Sequence, residues 1–86
     1  MADRATNNAV SVENFQLEVN EDARDIKRRV EAFRDKIAEH RSSRENFGGF
    51  LVGQLDSYID SFDAQIEKMN RQLDSDKAYW RREAAT

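Results

Sequence analysis

The stretch Val19-Asn20-Glu21-Asp22-Ala23-Arg24-Asp25-Ile26-Lys27-Arg28-Arg29-Val30-Glu31-Ala32-Phe33-Arg34-Asp35-Lys36-Ile37 decides the fold. Val19, Ala23, Ile26, Val30, Phe33 and Ile37 recur at alternating steps of four and three, the spacing of a helix that packs along one seam. Asn20 is placed to cap this helix, with Glu21 and Asp22 in its first turn favouring the helix dipole. The basic residues Arg24, Lys27, Arg28, Arg29, Arg34, Lys36, Arg41 and Arg44 are interleaved with Asp25, Glu31, Asp35 and Glu39, which are well placed for pairing within the helix. Continued in the same register, the seam reaches His40 and Arg44, so it turns polar near the end of the helix.

Moving toward the C-terminus, Ser42, Ser43, Asn46 and the pair Gly48-Gly49 form the one strong breaker cluster, which predicts a turn near 42–50. Beyond it Leu51, Leu55, Tyr58, Ile59, Phe62, Ile66, Met69 and Leu73 again follow helical spacing, with Trp80 further on, and predict a second helix. Moving toward the N-terminus, Val10, Val12, Phe15, Leu17 and Val19 alternate in a way that fits either an extended segment or an early helical turn. Residues 1–18 are therefore expected to be flexible or partly ordered, and residues 19–86 to form the hairpin. The predicted fold class is all-α: an antiparallel two-helix hairpin that associates into a four-helix bundle.

Composition bounds the same picture. An 86-residue chain without cysteine or proline has no disulfide or Cys-based metal site to reinforce a small core, so association is the expected source of added stability. A net charge of −3 and a pI near 5.1 argue against general nucleic-acid binding, and with a mean hydropathy of −0.92 no stretch approaches a membrane span. Two helices alone leave each apolar stripe with a single neighbour. Val30, Phe33, Ile37, Phe50, Leu55, Tyr58, Phe62, Ile66 and Met69 are accordingly the candidate partner-binding residues.

Asp56, Asp60, Asp63 and Glu67 form an acidic stripe whose expected role is charge matching to basic helix 1. Metal-binding helical bundles usually add a Glu-x-x-His motif; the single histidine, His40, has no glutamate three residues before it, and no metal is expected. No Ser/His/Asp or Cys/His set is available for nucleophilic catalysis, and the glycines around Gly48, Gly49 and Gly53 lack the Lys-Ser/Thr that completes a phosphate loop. The expectation is a protein that is not an enzyme and uses no cofactor.

With Phe47-Gly48-Gly49 between two helices and Tyr79-Trp80-Arg81-Arg82-Glu83 near the C-terminus, the chain resembles the small W-x-G proteins of type VII (ESX) secretion. Phe47 stands where that family has tryptophan, Tyr79 and Glu83 satisfy its Tyr-x-x-x-Asp/Glu export motif, and Leu17 to Arg24 looks like its run into the first helix. The resemblance implies a helical-hairpin dimer, homodimeric or paired with a similar small protein. Such a protein is made in the cytoplasm and either exported without a cleaved signal peptide or used to target a larger secreted effector. The competing expectation is a coiled-coil adaptor or structural subunit of a larger assembly, such as a phage particle or a secretion machine.

Overall fold

A computed structural model describes residues 2–40 and 46–85, which form two helices: α1, Ala2–His40, and α2, Asn46–Ala85. The pairs joining them fall in value along α2 as they rise along α1: Gln16 with Asp74, Asn20 with Asn70, Lys27 with Asp63, Arg34 with Asp56. The helices are therefore antiparallel, and the described residues contain no strand. Their seam is built in α1 by Ala5, Ala9, Val12, Gln16, Val19, Ala23, Val30 and Ile37. Gly48, Val52, Leu55, Ile59, Phe62, Ile66, Leu73 and Trp80 build it in α2, at steps of three, four and seven.

Three sequence expectations are corrected. Helix α1 starts at Ala2, so residues 2–18 are helical rather than flexible or partly ordered, and the alternation from Val10 to Val19 belongs to the helix. Val12, Gln16 and Val19 extend the seam into that segment and give it a face to bury, and tertiary packing is what stabilises most helices. Asn20 consequently lies mid-helix and caps nothing; its amide is bonded to Asn70 on the other helix. Gly48 and Gly49 lie inside α2, with no glycine among the described residues at positive φ, so the expected turn over 42–50 ends at least as early as Asn46. Of the breaker cluster, Ser42 and Ser43 lie outside the described residues, as does Arg44 at the end of the extrapolated seam.

The seam also drifts relative to the heptad read from the sequence. Ile26 and Phe33 are 46% and 52% exposed, while Lys27 and Arg34, one residue later, are the half-buried positions. An α-helix advances about 3.6 residues per turn rather than 3.5, so a straight helix carries a strict heptad gradually off its partner. Lys27 and Arg34 tolerate the position by laying their aliphatic stems along the seam and sending their charges out to α2.

Among the described residues only Ala9, Ala23 and Val52 are buried hydrophobic residues, and no large side chain is fully buried. The radius of gyration is 19.5 Å, against about 12 Å for a compact chain of this length. The accessible surface is 6818 Å², whereas a compact monomer of this mass exposes roughly 5,200 Å². The excess reflects the elongated shape of a two-helix rod, in which each apolar stripe has a single neighbour. One helical position is improvable without touching the seam: a methyl added at Gly53 meets nothing within 4 Å. Gly53→Ala is expected to raise stability by about 0.5–1 kcal/mol, read as a higher urea midpoint at unchanged slope.

Candidate functional site

The two flanks of the seam differ in chemistry. Along one flank the helices are laced together by polar pairs. Glu13 meets Arg81 at 3.8 Å, Lys27 meets Asp63 at 2.9 Å, and the Arg34 guanidinium grips Asp56 through Nε at 2.9 Å and Nη2 at 3.3 Å. Between them lies an amide cluster. Gln16, only 8% exposed, donates from Nε2 to Asn70 at 2.9 Å and to Asp74 at 3.0 Å, while Asn20 and Asn70 exchange two bonds of 2.8 Å. Asn70 also donates to the Ile66 carbonyl at 3.0 Å. Every one of these groups finds a partner, which is the condition for polar atoms to be tolerated at a helix seam.

The acidic stripe expected to match the charge of helix 1 does so at two of its members. Hydrogen bonding to Asp63 raises the Lys27 pKa, and hydrogen bonding to Asp56 raises that of Arg34. Within α1, Glu31 lies 3.8 Å from Lys27 and Asp25 pairs with Arg28 at helical spacing, while Asp35 lies 3.3 Å from its sequence neighbour Arg34. Exposed pairs of this kind contribute little stability each, about 0–1 kcal/mol, but they discriminate between registers and orientations. Among the described residues no group of three acidic or histidine side chains converges to hold a metal ion.

Asp74 gives this flank a pH signature. The Gln16 hydrogen bond, followed by that of Lys77, holds its carboxyl below the usual carboxylate range. A depressed folded-state pKa means that the contribution is complete above the unfolded value near 3.8 and is lost as pH falls through the folded value. The Asp74 contribution to the wild-type melting temperature should therefore be constant near neutral pH and be lost in acid. Asp74→Asn should flatten that acid limb when thermal melts are compared across pH.

The other flank is apolar and open. Phe15, Ile26 and Phe33 stand one turn before Val19, Val30 and Ile37 and share their face, and are 53%, 46% and 52% exposed. Across the seam on the same side, Tyr58 is 50% exposed and stacks on half-buried Phe62, ring centroids 6.0 Å apart, with Met69 further along. The candidate partner-binding residues thus divide. Val30, Ile37, Leu55, Phe62, Ile66 and Met69 are half-buried at the seam or its edge, Phe33 and Tyr58 lie on the open flank, and Phe50, 66% exposed, lies on the outer side of α2.

In the candidate turn motif, Gly48 is buried and Gly49 half-buried in the first turns of α2, while the Phe47 side chain lies outside the described residues. In the candidate export motif, Tyr79 is 48% exposed and Glu83, one turn on, is exposed. The Trp80 ring sits edge-on to Tyr79 at 4.9 Å and is half-buried. Sequence reasoning missed the amide cluster. Its signal was present, since Gln16 continues the Val12 and Val19 spacing, and polar residues within an apolar repeat often specify register.

These features define a class: a long antiparallel helical hairpin, polar and laced on one flank, apolar and unpaired on the other. Comparison with protein-family models, curated proteins and solved structures gives no match. No described helix is long and apolar enough to cross a membrane.

Proposed function

We propose that the chain is a non-catalytic docking hairpin of a type VII-like secretion pathway, exported itself or acting as the targeting partner of a larger secreted substrate. The observation that carries this reading is the end of α2. Tyr79 presents about half of its surface to solvent, and Glu83 shares its helix face one turn later. An aromatic ring and a carboxylate four residues apart make a compact recognition unit for a receptor, while Trp80 turns toward the seam and anchors the turn that carries them. The open apolar flank supports the partner half of the proposal, because a lone hairpin leaves Phe15, Ile26, Phe33 and Tyr58 wet.

A second reading is an adaptor or structural subunit of a larger assembly, such as a phage particle or a secretion machine. It is favoured by exposed apolar residues away from the open flank, Val10 and Leu17 on α1 and Phe50 on α2, which would suit a rod 67 Å long with neighbours on several sides. Expression beside an intact type VII system separates the two: the first reading requires the chain in the culture supernatant, whereas retention in the lysate with its partner present selects the second.

A further inference from the structure

Between the amide cluster and the pair of Lys27 with Asp63, the laced flank opens into a hollow. Along α1 the seam positions Gln16, Ala23, Val30 and Ile37 are seven residues apart, and Ala23 is the smallest of the four. A methyl group therefore stands where its equivalents bring larger side chains, and a space of about 230 Å³ is left against Phe62 and Ile66 of α2. Cross-helix bonds fix both ends of this space. Asn20 on one side is held by its two bonds to Asn70, and Lys27 on the other by Asp63 at 2.9 Å. A site held in this way is formed before anything enters it, which lowers the cost of binding.

Charge at the mouth selects the ligand. Lys27 is matched by Asp63 and by Glu31 at 3.8 Å, and Arg28, just outside, pairs with Asp25. Arg24, exposed and part of the lining, bonds to none of the described residues. Its guanidinium offers a planar fork that fits a carboxylate through two parallel bonds. The lining carries one positive charge in excess, from Arg24 and Lys27 against Asp63, and the acids Asp60 and Glu67 continue along the same edge of α2. A monoanion is thus accommodated and a dianion repelled. Size narrows the class further. The hollow exceeds the roughly 150 Å³ cavity that holds benzene and falls short of the about 300 Å³ at which drug-sized pockets begin, which leaves room for one ring and its substituent.

We propose that this hollow binds a small aromatic monocarboxylate, its ring against Ala23, Phe62 and Ile66 and its carboxylate on Arg24. The site lies on the flank opposite the open apolar one, so a partner seated there leaves it accessible, and it goes beyond the docking role. Phenylacetate titrated into the full chain and followed by backbone amide NMR tests this. Saturable shifts centred on Ala23, Arg24 and Ile66 are expected, with neutral phenylacetamide binding about tenfold more weakly and cationic phenethylamine more weakly still. Arg24→Gln should bring phenylacetate down to the level of the amide at an unchanged urea midpoint, since the side chain bonds to nothing described in the fold. Ala23→Leu fills the hollow and should remove binding of both; where it also lowers the urea midpoint, Arg24→Gln decides. Shifts that do not saturate, that centre on Phe15, Phe33 and Tyr58, or that are equal for acid and amine overturn the proposal. So does an Arg24→Gln variant that binds phenylacetate as wild type does. None of these results bears on export, which the secretion assay reads separately.

Discussion

Asn70→Leu is expected to destabilise the hairpin by about 2 kcal/mol, more than its exposure alone suggests. The Asn70 side chain accepts from Gln16 and Asn20 through one oxygen and donates to Asn20 and to the Ile66 carbonyl through its nitrogen. Leucine removes all four bonds. It leaves the Asn20 amide unpartnered at a half-buried position and Gln16 with Asp74 as its one cross-helix acceptor. The cost is the desolvation of the stranded groups, partly offset by the apolar contact leucine adds. Adding Asn20→Leu should recover most of the loss or exceed wild type, since removing both members of a polar pair is nearly neutral when the replacements pack. The recovered protein should be less strict in register, because Gln16–Asp74 is then the one cross-helix pair of the cluster that remains. Urea unfolding of the three variants gives the double-mutant cycle directly. If Asn70→Leu alone lies within about 0.5 kcal/mol of wild type, the cluster is an ornament of the surface and not a register device.

Tyr79→Ala is expected to remove the chain from the culture supernatant while leaving the hairpin folded. The ring is 48% exposed, and among the described residues the ring it meets, edge-on, is that of its own neighbour Trp80, so its loss opens no cavity between α1 and α2. Glu83→Gln should reduce export without abolishing it, since the shape of the recognition face is kept and its charge removed. Arg81→Ala is the control: Arg81 turns to the other flank, where it meets Glu13 at 3.8 Å, and its loss should cost a weak exposed pair and little export. Supernatant and lysate are compared for each variant with the secretion system and partner present, and circular dichroism reports folding. Normal export of Tyr79→Ala would end the type VII reading and leave the adaptor reading in its place.

Much of the fold was legible because helical periodicity is a local property. The steps of four and three from Val19 to Ile37, and again from Leu51 to Leu73, needed no knowledge of the partner helix to announce two amphipathic helices. The boundaries were less legible. Asn20 with Glu21 and Asp22 makes a good local start signal, yet α1 runs straight through it, since the gain from burying Ala9, Val12 and Gln16 against α2 exceeds the gain from one cap. The glycine pair predicts a turn because glycine disfavours helices by about 1 kcal/mol per residue. That cost is small beside the packing of Gly48 and Val52, and both glycines are helical.

What the sequence determined by itself was the class: two long helices, an apolar stripe on each, opposite charge on their facing edges, and an aromatic–carboxylate pair near the end of the second. Tertiary structure decided which side of each stripe is used. The apolar stripe of α1 is wider than one helix can cover, and its centre read from a heptad includes Ile26 and Phe33. Pairing instead shifts toward Lys27 and Arg34, because a straight helix repeats nearer 3.6 than 3.5 residues and because those two cations reach Asp63 and Asp56. Seam choice depends on the register of two helices at once, a relation between residues 36 positions apart for Lys27 and Asp63 and 22 for Arg34 and Asp56, which a short window of sequence does not contain. It turns one flank into a laced polar edge and leaves the other, with Phe15, Ile26, Phe33 and Tyr58, open.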